Sequence, residues 1–192
     1  MTAARIVFFS FLLFFQTLSG YHNCLNQEEI SEDCIKEIYR EKEYDFVIRH
    51  VDDVKFKNKS DGLIIKIDSL FKSANYDQIE NHINKLPLNL KNALYYKILL
   101  LKSNFARKRF NQTLEMIEYI KKEFPYYYVS SDLECMKADI MLVRKQYDGA
   151  VENYDKCLKI KPNIIASYNR ITALEKKGAP KVSLLKDYIE YI

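Results

Sequence analysis

The sequence predicts an all-α chain of antiparallel helix pairs stacked along a line, and three observations predict it. An aromatic residue followed by Asp or Asn recurs at Tyr44-Asp45, Tyr76-Asp77, Phe110-Asn111 and Tyr147-Asp148, at spacings of 32, 34 and 37 residues. The segments flanking each dipeptide carry apolar residues at helical spacing. Pro125, Pro162 and the glycines Gly62, Gly149 and Gly178 fall at the predicted helix boundaries. Self-similarity at such a period marks repeat architectures, in which each unit buries its apolar face only by stacking on its neighbours.

Residues 1–20 read as a secretory signal peptide. Arg5 supplies the positive charge, Ile6 to Phe15 is apolar apart from Ser10, and Thr17, Ser19 and Gly20 are small enough for cleavage. The apolar core spans about ten residues, half of the ~20 that cross a bilayer, so no stable membrane span is expected after removal. The remaining chain, 21–192, is then one domain in the secretory or extracytoplasmic space, whether secreted, in the ER lumen or in a periplasm. The formal net charge of the whole chain is +4, with basic and acidic residues interspersed. The basic runs Lys55/Lys57/Lys59 and Arg107-Lys108-Arg109 are short, whereas nucleic-acid binders concentrate charge on one face, so nucleic acid is not expected as a partner.

Five units follow, at about 27–58, 60–90, 91–125, 128–162 and 163–192. Asp45, Asp77, Asn111 and Asp148 are expected as N-caps of the second helices, because a short side-chain oxygen accepts an orphan N–H of the first turn. The aromatic before each would wedge into the turn. After Asp148, Ala150, Val151, Tyr154, Cys157 and Leu158 share one helix face; Thr113, Met116, Ile117, Ile120 and Phe124 do so one unit earlier. The 37-residue unit carries an insertion at PYYYVSS, whose Tyr126, Tyr127 and Tyr128 either form an exposed recognition anchor or pack the longer turn.

Residues 131–162 resemble a tetratricopeptide repeat. Ala138 and Ala150 match the small residues where its helices cross, Tyr154 the aromatic of its second helix, and Pro162 its terminal proline. The segment 163–178 is similar to the first helix of a following repeat, with Tyr168 at the large aromatic position. Glu134 departs from the pattern, standing where Trp or Tyr is usual, and the last unit has no turn aromatic before Pro180. The resemblance implies a right-handed α-solenoid of about 4.5–5 helix pairs whose first helices line a concave groove for a partner protein or peptide. Aligned units put Asp68, Tyr95, Leu99, Lys102, Met136, Asp139, Asn169 and Arg170 along that groove. The chaperone-tail clamp of the family, built from Lys and Asn, is not expected, since of the equivalent positions Ile98, Lys102, Cys135, Asp139, Asn169 and Arg170 only the last two look suitable.

Four cysteines, 24, 34, 135 and 157, remain after residue 20, and an oxidising compartment would allow three pairings. Positions equidistant from the turn near residue 146 face each other in an antiparallel pair, which favours Cys135–Cys157 and leaves Cys24–Cys34 as a local bond. Buried free thiols are the alternative. Asn58 and Asn111 head possible N-glycosylation sequons, Asn58 in a loop and Asn111 as a cap.

No catalytic pattern stands out. His22, His50 and His82 are isolated, no phosphate-cradling glycine run or zinc-ligand spacing occurs, and none of the histidines begins the His-Pro-Asp motif of J-domains. The sequence thus points to a non-catalytic adaptor without cofactor or metal. The alternatives are a structural subunit of a lumenal or envelope complex, or a client-binding co-chaperone lacking a J-domain.

Overall fold

A computed structural model describes residues 29–130 and 132–180. The signal-peptide segment, Cys24 and the final residues 181–192 of the fifth unit lie outside the described residues. Eleven helices and no strand are formed among those described: α1 (Glu32–Arg40), α2 (Tyr44–His50), α3 (Lys59–Lys72), α4 (Tyr76–Asn84), α5 (Leu88–Lys91), α6 (Leu94–Ala106), α7 (Phe110–Glu123), α8 (Pro125–Ser130), α9 (Leu133–Val143), α10 (Tyr147–Ile160) and α11 (Ile164–Lys177).

The repeat is written into the backbone. Lys42, Ala74, Lys108, Lys145 and Gly178 all have positive φ, at 67°, 60°, 58°, 61° and 92°. The first four each stand two residues before a turn aromatic. At four of these turns the residue after the left-handed one donates its N–H five residues back, as in Asn75 to Leu70 at 2.8 Å and Gln146 to Met141 at 2.9 Å. This 6→1 bond, with the shorter bonds Ala74 to Phe71 and Lys145 to Leu142, is the Schellman ending of a helix. Glycine suits that conformation best, because a Cβ there crowds the following carbonyl. Four of the five turns use Lys or Ala instead, so packing of the flanking helices holds them.

Counting from the left-handed residue gives one core for every unit. Seven residues before it stand Ile35, Ile67, Leu101, Ala138 and Ile171, and five after it Val47, Ile79, Thr113 and Ala150, all buried. Nine after come Val51, Ile83, Ile117 and Tyr154; twelve after come Val54, Leu86, Ile120 and Cys157, again buried. At the start of α10 an added Cβ on Gly149 would meet the Met141 sulfur at 2.8 Å, so α9 and α10 approach closely there.

The expected N-caps are corrected by one residue pair. Glu43, Asn75, Arg109 and Gln146 hold the cap positions, without side-chain caps, and the aromatics begin the helices. Asp45, Asp77, Asn111 and Asp148 therefore sit in the first turn, where a carboxylate favours the positive helix end. Three of them also reach the next unit. Asp77 pairs with Arg107 at 2.8 Å, Asn111 accepts from Arg144 at 2.6 Å, and Asp148 pairs with Lys177. Each basic partner is the residue immediately before the next left-handed turn, so the recurring dipeptide records a stitch between successive units.

The chain divides into two compact units, one ending at Arg107 and one starting at Lys108. In the first, α1 and α2 close around Ile35, Ile38, Val47 and Val51. There α3, α4 and α6 share a second cluster of Ile67, Leu70, Ile79, Ile83, Tyr96 and Leu99. In the second, α7 packs on α8 and α9, and α9, α10 and α11 pack in sequence around Ala138, Ala150, Tyr154 and Ala173. The division falls at the turn of the predicted 91–125 pair, since α6 finds its partner in α4 and α7 finds its own in α8 and α9. α7 ends at Glu123, just before Pro125 as expected, and the proline then occupies the first position of α8, where its missing N–H is harmless.

Candidate functional site

Six residues before the left-handed turns stand Lys36, Asp68, Lys102 and Asp139, one on each successive first helix. The two aspartates organise the polar clusters of the two units. In the first unit, the buried Asp68 carboxylate on α3 accepts hydrogen bonds from the Tyr39 hydroxyl of α1 and the Tyr95 hydroxyl of α6, the latter at 2.5 Å. Lys72, one turn along α3, pairs with it at 3.0 Å and donates to the Tyr39 oxygen at 2.9 Å. The Lys72 ammonium also lies over the rings of Tyr39 and Tyr44, 4.9 and 5.4 Å from their centres. Three helices are thus joined through one carboxylate.

Burial raises the Asp68 carboxyl, but the hydrogen bonds from Tyr39, Tyr95 and Lys72 outweigh it and hold the group below the usual carboxylate value. Burial and the Asp68 hydrogen bond push the Tyr39 and Tyr95 hydroxyls up, so both remain donors at neutral pH. Its bonds to Tyr39 and then Asp68 push Lys72 up and keep it charged. In the second unit Asp139 on α9 accepts from the buried Tyr154 hydroxyl of α10 at 2.5 Å and from Asn169 of α11 at 3.1 Å. Burial first, then this bond, raises the Tyr154 hydroxyl.

Of the predicted groove residues, Asp68 meets Tyr95 within the first unit, and Asp139 meets Asn169 within the second. Lys102 is exposed on α6, and Met136 is half-buried on α9. Leu99, 5% exposed, packs in the α3–α4–α6 core. Arg170 is half-buried and bound to Asp155 at 2.5 Å, so its charge is largely spent within the chain. Tyr39, Lys72 and Tyr154 were not among the predicted site residues, although each joins a predicted aspartate. Their signal lay in the period: Tyr39 stands three residues before its turn, where Phe71 and Phe105 stand in the next two units.

Cys135 and Cys157 are joined by a disulfide, with α-carbons 5.2 Å apart. The bond replaces aliphatic packing. Cys157 takes the position of Leu86 and Ile120, and Cys135 that of Ile64 and Ile98, ten residues before the turn. Cys34 is also disulfide-bonded, and Cys24 lies outside the described residues. Next to Cys135, the departure at Glu134 is resolved by the insertion. Tyr128 of α8 is buried and donates its hydroxyl to the buried Glu134 carboxylate. Of its neighbours, Tyr126 is 91% exposed and Tyr127 half-buried, so the triplet is split between packing and surface.

The sequons change roles. Asn58 is the cap of α3, accepting from Ser60 N–H and donating to Asp61, while Asn111 lies within the first turn of α7 on Arg144. His50 stacks on Phe46 at 4.3 Å, His82 is buried, and His22 lies outside the described residues. Among the described residues, no group of three His, Cys, Asp or Glu side chains is placed to hold a metal ion, and no helix is long and apolar enough to cross a membrane. No protein-family model matches the chain, and neither a curated protein nor a solved structure matches it.

Proposed function

We propose that the chain is a tetratricopeptide-like, non-catalytic adaptor of an extracytoplasmic compartment, which binds a segment of a partner protein on the faces of its first helices. The observation that carries this reading is the recurrence, within the first unit, of Lys36, Asp68 and Lys102 six residues before successive turns, with Tyr95 half exposed beside Asp68 and Lys102 exposed on the same helix. Aspartate-centred clusters fix these faces, and pre-ordered side chains lose less entropy on binding. The disulfide supports an oxidising compartment, where such bonds persist.

Affinity purification from the native compartment, followed by binding assays with Lys102→Glu and Tyr95→Ala, tests the reading. Both variants should weaken capture of the native partner while leaving the helical content unchanged. Binding unaffected by both moves the interface elsewhere. Arg170 is a poor probe, because its reversal also breaks the bond to Asp155.

A second reading, a structural subunit joined through its edges, is favoured by α11, where Ile164, Ile165 and Tyr168 are 80%, 71% and 60% exposed. Ile165→Asp with Tyr168→Ala should then release the chain from a larger assembly in size-exclusion chromatography. The adaptor reading predicts no change.

A further inference from the structure

The interior of the first unit holds a basic pair that the adaptor reading does not use. His82 on α4 is 8% exposed, eight residues after the left-handed Ala74, and Lys66 on α3 is 7% exposed, eight residues before it. The Lys66 ammonium pairs with Asp52 at the end of α2, whose own side chain is largely in solvent. The His82 Nδ1 has no hydrogen-bond partner among the described residues. The charged groups acting on the imidazole are Lys66 from α3, Lys85 just beyond α4, and Asp52 from the α2 end; α6 contributes Tyr96 and Leu99 to the shared core. Two cations thus face one half-solvated carboxylate. A proton on His82 adds a third positive charge against the single, largely solvated Asp52 carboxylate, and a buried charge so weakly compensated disfavours the folded arrangement.

We infer that His82 makes the α3–α4 pair of the first unit acid-sensitive, so that mild acidification loosens the helices that carry the Asp68 cluster. Burial, then Lys66 and Lys85, hold the imidazole below its ordinary value of 6.5, so the unfolded chain takes up the proton first. Stability is therefore complete above 6.5 and falls as the pH drops from there toward the lower folded value. The same position in the other units isolates the cause. It is His50 in the α1–α2 pair, where Cys34 stands at the position of the buried lysine, Met116 on α7 and Asn153 on α10.

The test is thermal unfolding of the full chain between pH 7.5 and 5, with wild type, His82→Met, His82→Asn and His50→Asn. Proton NMR titration of the histidine rings and hydrogen exchange of the α3 and α4 amides accompany it. Wild type and His50→Asn should lose several degrees of midpoint over this range, His82→Met and His82→Asn clearly less, and exchange in α3 and α4 should rise at pH 5 beyond the intrinsic rate change. A His82 ring titrating at or above 6.5 overturns the inference. So does a pH slope that persists in both His82 variants. If the substitutions prevent folding, the ring titration and amide exchange of wild type alone decide it. The outcome is independent of whether the chain is an adaptor.

Discussion

Reduction of Cys135–Cys157 should destabilise the second unit by about 3 kcal/mol, from the loop-closure estimate for a bond of sequence separation 22. The structure argues that this figure is not enlarged by lost packing. Cys135 and Cys157 are 8% and 3% exposed and sit among Ala138, Ala150 and Tyr154, so the separated thiols would still fill the space of two small apolar side chains. A domain of this size loses roughly 4–8 °C of midpoint per kcal/mol, so reduction should cost on the order of 15 °C. Urea unfolding followed by circular dichroism, with oxidised and reduced protein verified by alkylation and mass spectrometry, measures the difference directly. Cys135→Ala with Cys157→Ala should reproduce the loss and add a small cavity cost. A difference below about 0.5 kcal/mol between oxidised and reduced protein would refute the reasoning, since the crosslink would then constrain nothing that packing does not already fix. Free thiols at both positions in protein from its native compartment would do the same.

Asp68→Ala removes the acceptor of Tyr39, Tyr95 and Lys72, and should cost the first unit about 2–4 kcal/mol in chemical unfolding. Because Asp68 is held below its ordinary 3.8, its contribution is present above that pH and is lost as the pH falls through the lower folded value, visible as a flatter acid limb in Asp68→Asn. Ala74→Gly should stabilise the first unit by about 0.5–1 kcal/mol, relieving a left-handed Cβ, whereas Gly178→Ala should destabilise the second by about 1 kcal/mol. Midpoints moving in the same direction for both would contradict the shared turn geometry. Lys177→Ala breaks an exposed pair with Asp148 and should change stability by no more than about 0.5 kcal/mol.

The repeat was legible in the sequence because its cause is local. A left-handed helix ending needs only a few consecutive residues, and the aromatic-Asp or aromatic-Asn mark follows four of the five, Gly178 being the exception. The core positions around it followed from helical spacing, and Cys135–Cys157 from their near-equal distance to the turn. The offset of two residues between expected and observed caps has a similar origin. A short acidic side chain near a helix start reads alike as a cap or as a first-turn residue, and only the basic partner one unit later separates the two. The insertion at Tyr126 to Tyr128 was visible as extra length, but its purpose was not. Glu134 accepts the hydroxyl of Tyr128 from the neighbouring helix, a partner that the sequence did not mark.

What the sequence determined alone is therefore the helical class, the period, the apolar faces of α7 and α10 and the Cys135–Cys157 pairing, all set by contacts within about one repeat. Only the tertiary structure decided that Leu99 is core while Tyr95 on the same helix meets Asp68. It alone buried His82 and Lys66 within one unit. These outcomes depend on which helix lies across from which, over separations such as the 29 residues between Tyr39 and Asp68. Periodicity shows which side of a helix is covered. It does not show which side chain covers it.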